Sequence, residues 1–221
     1  MADPLILYVS EKNISSWSMR AFVALTAKGV PFEERTISLR QDKDRARRRE
    51  VSPTGKVPVL HHGPLVIPDS LAIIEYLEET FPPPRHPALW PGGAARRAHA
   101  RWLSAAMHSG FPKLREGMSF NLCFLPRPPE PPAEALAEAA ELLSLWEEAL
   151  QRRAPEAGPF LFGPFGAVDA MFAPAIVRLT AFRVPTAATP RAASYMESVL
   201  AHPAVRSWMD PARALPPQAT Y

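Results

Sequence analysis

Apolar and polar positions change period along this chain, and the changes mark its elements. Residues 5–9 (LILYV) form a short apolar run rich in strand formers. After the loop SEKNIS the spacing becomes helical. From Ser15 or Ser16 onward, Met19, Phe22, Val23, Leu25 and Thr26 share one face, and Gly29 stands where a helix commonly ends. Residues 32–37 (FEERTI) alternate as a half-buried strand does, and a strand–helix–strand unit favours parallel pairing. The polar stretch 41–50 predicts a surface helix or an irregular turn. VPVLHH and PLVI, separated by Gly63-Pro64, predict an antiparallel hairpin. PDSLAIIEYLEETF then carries Leu71, Ile74, Tyr76, Leu77 and Phe81 at helical spacing. The expected order is βαβαββα within roughly 80 residues, a small-domain length.

Strand signals stop after PPPRHPALWPGG at 82–93. The pattern predicts one long helix over 94–118 and a second over 133–153, with Leu136, Leu142, Leu143, Trp146 and Leu150 on its apolar side. PRPPEPP at 126–132 must break the chain between them. A buried helix is expected over 167–182 and shorter ones over 190–201 and 203–209. Trp102, Trp146 and Trp208 fall within helical patterns and are expected in the core. These signals divide the chain into an α/β domain at 1–81, a linker at 82–93 and an all-helical domain at 94–221, with no internal repeat.

Composition narrows the class. Hydrophobic residues make up 47% of 221 residues, enough for a sizeable core. The 27 prolines cluster at 82–91, 126–132 and 211–217, so they punctuate loops. A formal charge of +3 suits an anionic small ligand as well as nucleic acid. Residues 40–56 hold seven basic side chains without interleaved aromatics, which reads as a solvated helix face rather than a nucleic-acid surface. The single cysteine, Cys123, excludes an intramolecular disulfide and a C-x-x-C pair, and reads as a small buried hydrophobe. His61-His62 lacks partners at metal spacing. With no leader-like start and no membrane-length apolar run, a soluble cytoplasmic protein is expected.

Three segments carry candidate chemistry. In TGKVPVL, a proline within a strand run needs either an edge position or a cis Val57-Pro58 bond. The latter would turn the Val57 backbone toward an open edge that can accept an extended peptide. Asp69 or Ser70 lies in the first turn of a helix, where either can cap free N–H groups, or where Ser70 and the helix terminus can hold a carboxylate. Asn13-Ile14-Ser15-Ser16-Trp17 lies between the first strand and the first helix. Ligands bind open α/β sheets at such strand ends, and a serine hydroxyl there can cap the helix or donate to an anion.

Together TGKVPVL, PDSLAIIEYLEE and ISSWS resemble the cytosolic glutathione transferase superfamily, and the resemblance extends through the helical half. It implies a thioredoxin-like N-terminal domain, a helical-bundle C-terminal domain and glutathione as co-substrate. ISSWS is similar to the serine-type, zeta-like branch but lacks its Ser-Ser-Cys signature. By the resemblance, Ser15 matches the catalytic serine beside the glutathione sulfur, with Ser16 one register away. Val57 would pair its backbone with the cysteinyl part, with Pro58 cis. Asp69 and Ser70 would hold the γ-glutamyl end, and Lys56 or Arg40 the glycyl carboxylate. Trp17 would stand against the second substrate, together with Met107, Phe111, Leu114, Arg115 and Met118. GPFGAVDAMFAPAI resembles the family's capping-box helix, with Gly166 in place of Ser or Thr and Asp169 in a structural role.

The implied activity is conjugation of glutathione thiolate to apolar electrophiles, with peroxide or disulfide reduction by the same thiolate. A glutathione-dependent cis–trans isomerase of the maleylacetoacetate type and a non-catalytic glutathione-binding module are the alternatives. The resemblance also implies a homodimer.

Overall fold

The computed structural model describes residues 3–39, 43–153 and 158–218. The chain opens with β1 (Leu5–Val9), α1 (Ser16–Lys28), β2 (Glu33–Thr36) and α2 (Lys43–Val51). The hairpin β3 (Val59–His62) and β4 (Leu65–Ile67) follows, then α3 (Ser70–Thr80). The expected βαβαββα order is therefore present. The four strands form one mixed sheet in the order β2-β1-β3-β4. β1 pairs parallel with β2 (Ile6 opposite Glu33) and antiparallel with β3 (Leu7 opposite Leu60).

Burial follows the pattern only in part. Leu5, Leu7 and Val9 are buried, as a central strand requires, and α1 buries Met19, Phe22, Val23 and Leu25 beneath them. β2 departs from the half-buried expectation: Glu33 to Thr36 are all exposed, because β2 is an edge strand and only the flanking Ile37 is buried. Gly29 closes α1 with φ of 65°, a left-handed cap that glycine adopts without a Cβ penalty.

Seven further helical segments follow: α4 (Ala94–Ser109), α5 (Pro112–Gly117), a 3₁₀ turn at Phe120–Phe124, α6 (Ala133–Gln151), α7 (Ala167–Ala181), α8 (Pro190–Ala201) and α9 (Pro203–Ala214). The single helix expected over 94–118 is interrupted. Pro112 lacks the N–H that would continue the α4 ladder, Phe111 adopts φ of 56°, and the chain restarts as α5 with Pro112 in its first turn. Trp146 and Trp208 are fully buried, whereas Trp102 is 54% exposed, which corrects its expected core position. Its ring stacks on His99, one turn earlier on α4.

The two halves share one apolar core. α7 packs against α1 and α4, and α9 against α1. α7 is buried along almost its whole length, and it keeps an internal proline, Pro174. The 82–93 segment is anchored rather than loose. Leu89 and Trp90 are buried, the Leu89 N–H donates to Glu78, and the Leu89 carbonyl accepts from Ala167 N–H at 2.8 Å. Glu78 also pairs with Lys28, whose buried ammonium joins α1 to α3 at 2.5 Å. Among the described residues no helix is long and apolar enough to cross a membrane.

Candidate active site

The largest cavity described, about 690 Å³, opens where the N-terminus of α1, the segment before β3 and the N-terminus of α3 face α4, α5 and α7. Ser15, Ser16, Trp17, Lys56, Val57, Pro58, Asp69 and Ser70 all line it, so eight of the nine site residues expected from sequence share one wall system. The ninth, Arg40, lies outside the described residues.

Each local geometry has a cause in the sequence. Ser15 is the N-cap of α1: its Oγ accepts from Ser18 N–H at 3.3 Å and donates to Ser18 Oγ at 2.8 Å. Capping is thus part of its role. The pair of hydroxyls can also reverse, with Ser18 donating to Ser15 and the Ser15 proton turned to an acceptor in the cavity. Ser16 is held differently, accepting from Arg178 Nη2 at 3.2 Å. Val57-Pro58 is a cis peptide, as expected. The edge alternative does not apply, since β3 is flanked by β1 and β4 and pairing begins at Val59 opposite Tyr8.

Asp69 caps α3 through Oδ1, which accepts from Leu71 and Ala72 N–H at 2.9 Å each. Its second oxygen, Oδ2, stands 3.3 Å from His108 Nε2 on α4. Burial pushes the His108 pKa down, the Asp69 carboxylate opposes that shift, and Arg20 and Arg115 add to it. Ser70 Oγ is buried without a hydrogen-bond partner, and so is His108 Nδ1. Both belong to cavity-lining residues and can bond a ligand's polar groups.

The opposite wall was poorly read from sequence. Of the candidate lining residues, only Arg115 reaches the cavity. Met107 is buried in the core from α4, and Phe111, Leu114 and Met118 are buried there beyond the break at Gly110–Pro112, where the chain restarts as α5. Beside Arg115 stand His108, Pro112, Glu116, Ser119, Phe120 and Arg178. Arg178 is buried and bonds three elements: Nε to the Met118 carbonyl at 2.8 Å, Nη1 to Pro174 and Nη2 to Ser16. Arg20, fully buried beneath Trp17 with its guanidinium 4.3 Å from that ring, adds a further cation behind the wall. Burial, then Arg178 and Arg115, lowers its pKa to about 9, which leaves it charged at neutral pH. Arg20 and Arg178, lone arginines inside helical patterns, gave no signal that they would join Arg115 here from α1 and α7.

Comparisons with known proteins bear on the family and the fold. The glutathione S-transferase N-terminal domain family matches residues 9–85, and the C-terminal domain family matches 129–210. The chain belongs to the glutathione S-transferase superfamily.

A glutathione transferase homolog from Burkholderia, solved with bound glutathione, is 30% identical with a TM-score of 0.70, covering 96% of this chain and 99% of that one. A zeta-class bacterial maleyl pyruvate isomerase in its holo form is 25% identical with a TM-score of 0.72, over 94% and 97% of the two chains. A probable maleylacetoacetate isomerase of Caenorhabditis elegans is 38% identical over 109 residues, 49% of each chain. The maleylacetoacetate isomerase of Rattus norvegicus is 36% identical over 113 residues, 50% of each. The chain thus spans about half the length of the curated relatives it matches.

Proposed function

We propose that this superfamily member binds glutathione in the cavity and directs its thiolate at an electrophile held against α5 and α7. The observation that carries the reading is that Ser15, Val57-Pro58 and Asp69-Ser70 meet on one cavity although the sequence separates them widely. In this reading the Val57 backbone pairs with the cysteinyl part. Asp69 Oδ2 and Ser70 Oγ receive the γ-glutamyl ammonium and carboxylate, and Lys56 or Arg40 neutralises the glycyl end.

Ser15 holds the sulfur as an anion by donating its hydroxyl proton. A free thiol has a pKa near 8.5, so lowering it by ~2 units requires about 2.7 kcal/mol of selective anion stabilisation. One hydrogen bond to a charged acceptor supplies roughly 1.5–3 kcal/mol, and the free N–H groups and dipole of α1 add up to about 1 kcal/mol. Ser15 needs neither to remove a proton as a base nor to form a covalent bond. The thiol proton leaves to solvent as the thiolate forms. In conjugation the sulfur then forms a C–S bond while the electrophilic carbon either loses its leaving group with the bonding pair or breaks a C=C π bond, whose far carbon takes a proton from solvent.

The far wall sets the electrophile. Arg115 and Arg178 give it a cationic character that an apolar electrophile would not use, and an unsaturated carboxylic acid would. That observation favours a second reading, glutathione-dependent cis–trans isomerisation of such an acid, the class of reaction named for the maleylacetoacetate and maleyl pyruvate isomerases among the relatives. Retention on glutathione-agarose, followed by turnover of apolar electrophiles, peroxides, mixed disulfides and cis-unsaturated diacids, tests both. Conjugation of apolar electrophiles with no turnover of the diacids sinks the second reading. Retention with no turnover of any compound leaves a binding module, and failure to retain the protein sinks all three.

A further inference from the structure

We infer that residues 216–218, after α9, form a strap that positions Ser15, with Asn13 and Asn121 as its two positioning side chains. The inference rests on the glutathione reading above. Asn13 is buried in the loop between β1 and α1, and its Nδ2 donates to the Pro216 carbonyl at 2.9 Å. Asn121 is buried in the 3₁₀ turn on the opposite side of the cavity, and its Nδ2 donates to the Gln218 carbonyl at 3.0 Å. One three-residue segment therefore ties together the loop that presents Ile14 and Ser15 and the turn that presents Ser119 and Phe120, all four of them cavity residues.

The same loop is gripped by α9 one residue earlier. Trp208 Nε1–H donates to the Lys12 carbonyl at 3.0 Å, and the Lys12 ammonium lies 3.8 Å from the Phe22 ring centroid and 4.3 Å from that of Trp208. Ser15 N–H and Ile14 N–H both donate to the Glu11 carbonyl, so a displacement at Lys12 or Asn13 is passed to Ser15 within one turn. Buried side-chain amides that bond backbone carbonyls of a segment with no ladder of its own fix that segment's path, since an unmade bond there leaves a desolvated group unpaired. The strap touches neither Asp69 nor Ser70 through these bonds. Its loss should therefore misplace the sulfur's partner while leaving the γ-glutamyl anchor in place.

Full-length Asn13→Ala, Asn121→Ala and the double variant test this through ultraviolet titration of the bound thiol, alongside glutathione affinity and thermal melting. Each single variant is expected to raise the pKa of bound glutathione, so that turnover falls about three- to tenfold at neutral pH and recovers in alkali. Affinity should change less than about twofold. Because both amides act through one segment, the double variant should shift the pKa no further than the larger single change. Trp208→Phe, which keeps a ring but removes the indole N–H, should shift it in the same direction and serves if an asparagine variant folds poorly. Lower melting temperatures with an unmoved thiol pKa would overturn the inference, as would additive shifts in the double variant. A wild-type chain that binds glutathione with an unshifted thiol would sink the Ser15 reading as well. A chain that does not bind it would sink the whole proposed function.

Discussion

Arg178 and Ser16 stand 162 positions apart, yet the arginine Nη2 donates to the serine Oγ at 3.2 Å. The contact joins buried α7 to the first turn of α1, and it gives the two adjacent serines different surroundings. Ser16 faces a fixed cation, whereas Ser15 faces only a neighbouring hydroxyl and an amide of its own helix. A hydroxyl bonded to neutral partners can turn its proton toward an arriving anion. Ser16 serves Arg178 as an acceptor, so its replacement perturbs the arginine more than the sulfur.

Ser15→Ala is accordingly expected to raise the thiol pKa of bound glutathione and lower turnover at neutral pH by about 10- to 100-fold, the equivalent of roughly 1.5–3 kcal/mol. Partial recovery in alkali and little change in affinity should accompany it. Ser16→Ala should keep the pH profile and alter KM for an anionic second substrate. If pH-rate curves show Ser16→Ala losing the thiolate while Ser15→Ala keeps it, the two roles exchange.

The glycine at the start of α7 makes a separate prediction. A Cβ built on Gly166 would stand 2.5 Å from the Leu89 carbonyl oxygen, and that oxygen already accepts from Ala167 N–H. The absence of Ser or Thr at this capping position thus has a packing cause. The Asp169 half of the cap is intact, with Oδ2 accepting from Gly166 N–H at 2.8 Å. Gly166→Ala should destabilise the protein by about 1–3 kcal/mol by forcing the 82–93 segment from α7, and Gly166→Ser should not be better despite its hydroxyl. Urea denaturation of the pair measures this.

What was legible in the sequence was local. The βαβαββα order, the starts of α1 and α3 and the cis Val57-Pro58 bond follow from periodicity, capping residues and the resemblance, and the structure shows each of them. What was not legible depends on long-range placement. The break at Gly110–Pro112 was hidden by the continuous apolar spacing of Met107, Phe111, Leu114 and Met118. That spacing is real, but it faces the core on two differently directed helices. Arg115 was expected at the second-substrate wall, but the approach of Arg20 and Arg178 to it had no local signal, since each is one arginine in an otherwise ordinary helical stretch.

Assembly gives a third expectation. Leu65 and Val66 on edge strand β4 and Trp102 on α4 are large apolar side chains left exposed, and Arg101 links α4 to α3 through Glu75 at 2.9 Å. Edge strands and exposed aromatics of this kind are commonly covered in assemblies. We expect light scattering to give about twice the 24.4 kDa of one chain, the two-fold pair being the commonest oligomer. Trp102→Ala should move the equilibrium toward the monomer at micromolar concentration. A wild-type protein that stays monomeric there overturns the expectation.

Asp169 supplies a pH-dependent test of the fold. Its carboxylate is fully buried and accepts from Gly166 N–H, Leu161 N–H and the Tyr195 hydroxyl, the last at 2.9 Å. Burial outweighs those hydrogen bonds and lifts its pKa from 3.8 to about 6, while burial and the adjacent carboxylate push the Tyr195 phenol well above its usual value. The sign follows from the direction of the Asp169 shift. Below the unfolded pKa, near 4, both states hold the proton. Between that value and about 6 the unfolded chain has released it and the folded chain has not, so raising the pH through this window favours unfolding. The contribution of this group is fully present at the acid end and lost at the neutral end. Asp169→Asn removes the titration but turns an amide N–H toward donors, at a cost of about 1–3 kcal/mol. The stability difference, wild type minus variant, should therefore shrink steadily as the pH rises across the window, the shared carboxylates elsewhere cancelling between the two proteins. Denaturation curves at several pH values measure it. A difference that grows with pH would show that the three donors hold Asp169 as an anion and that its hydrogen bonds outweigh its burial.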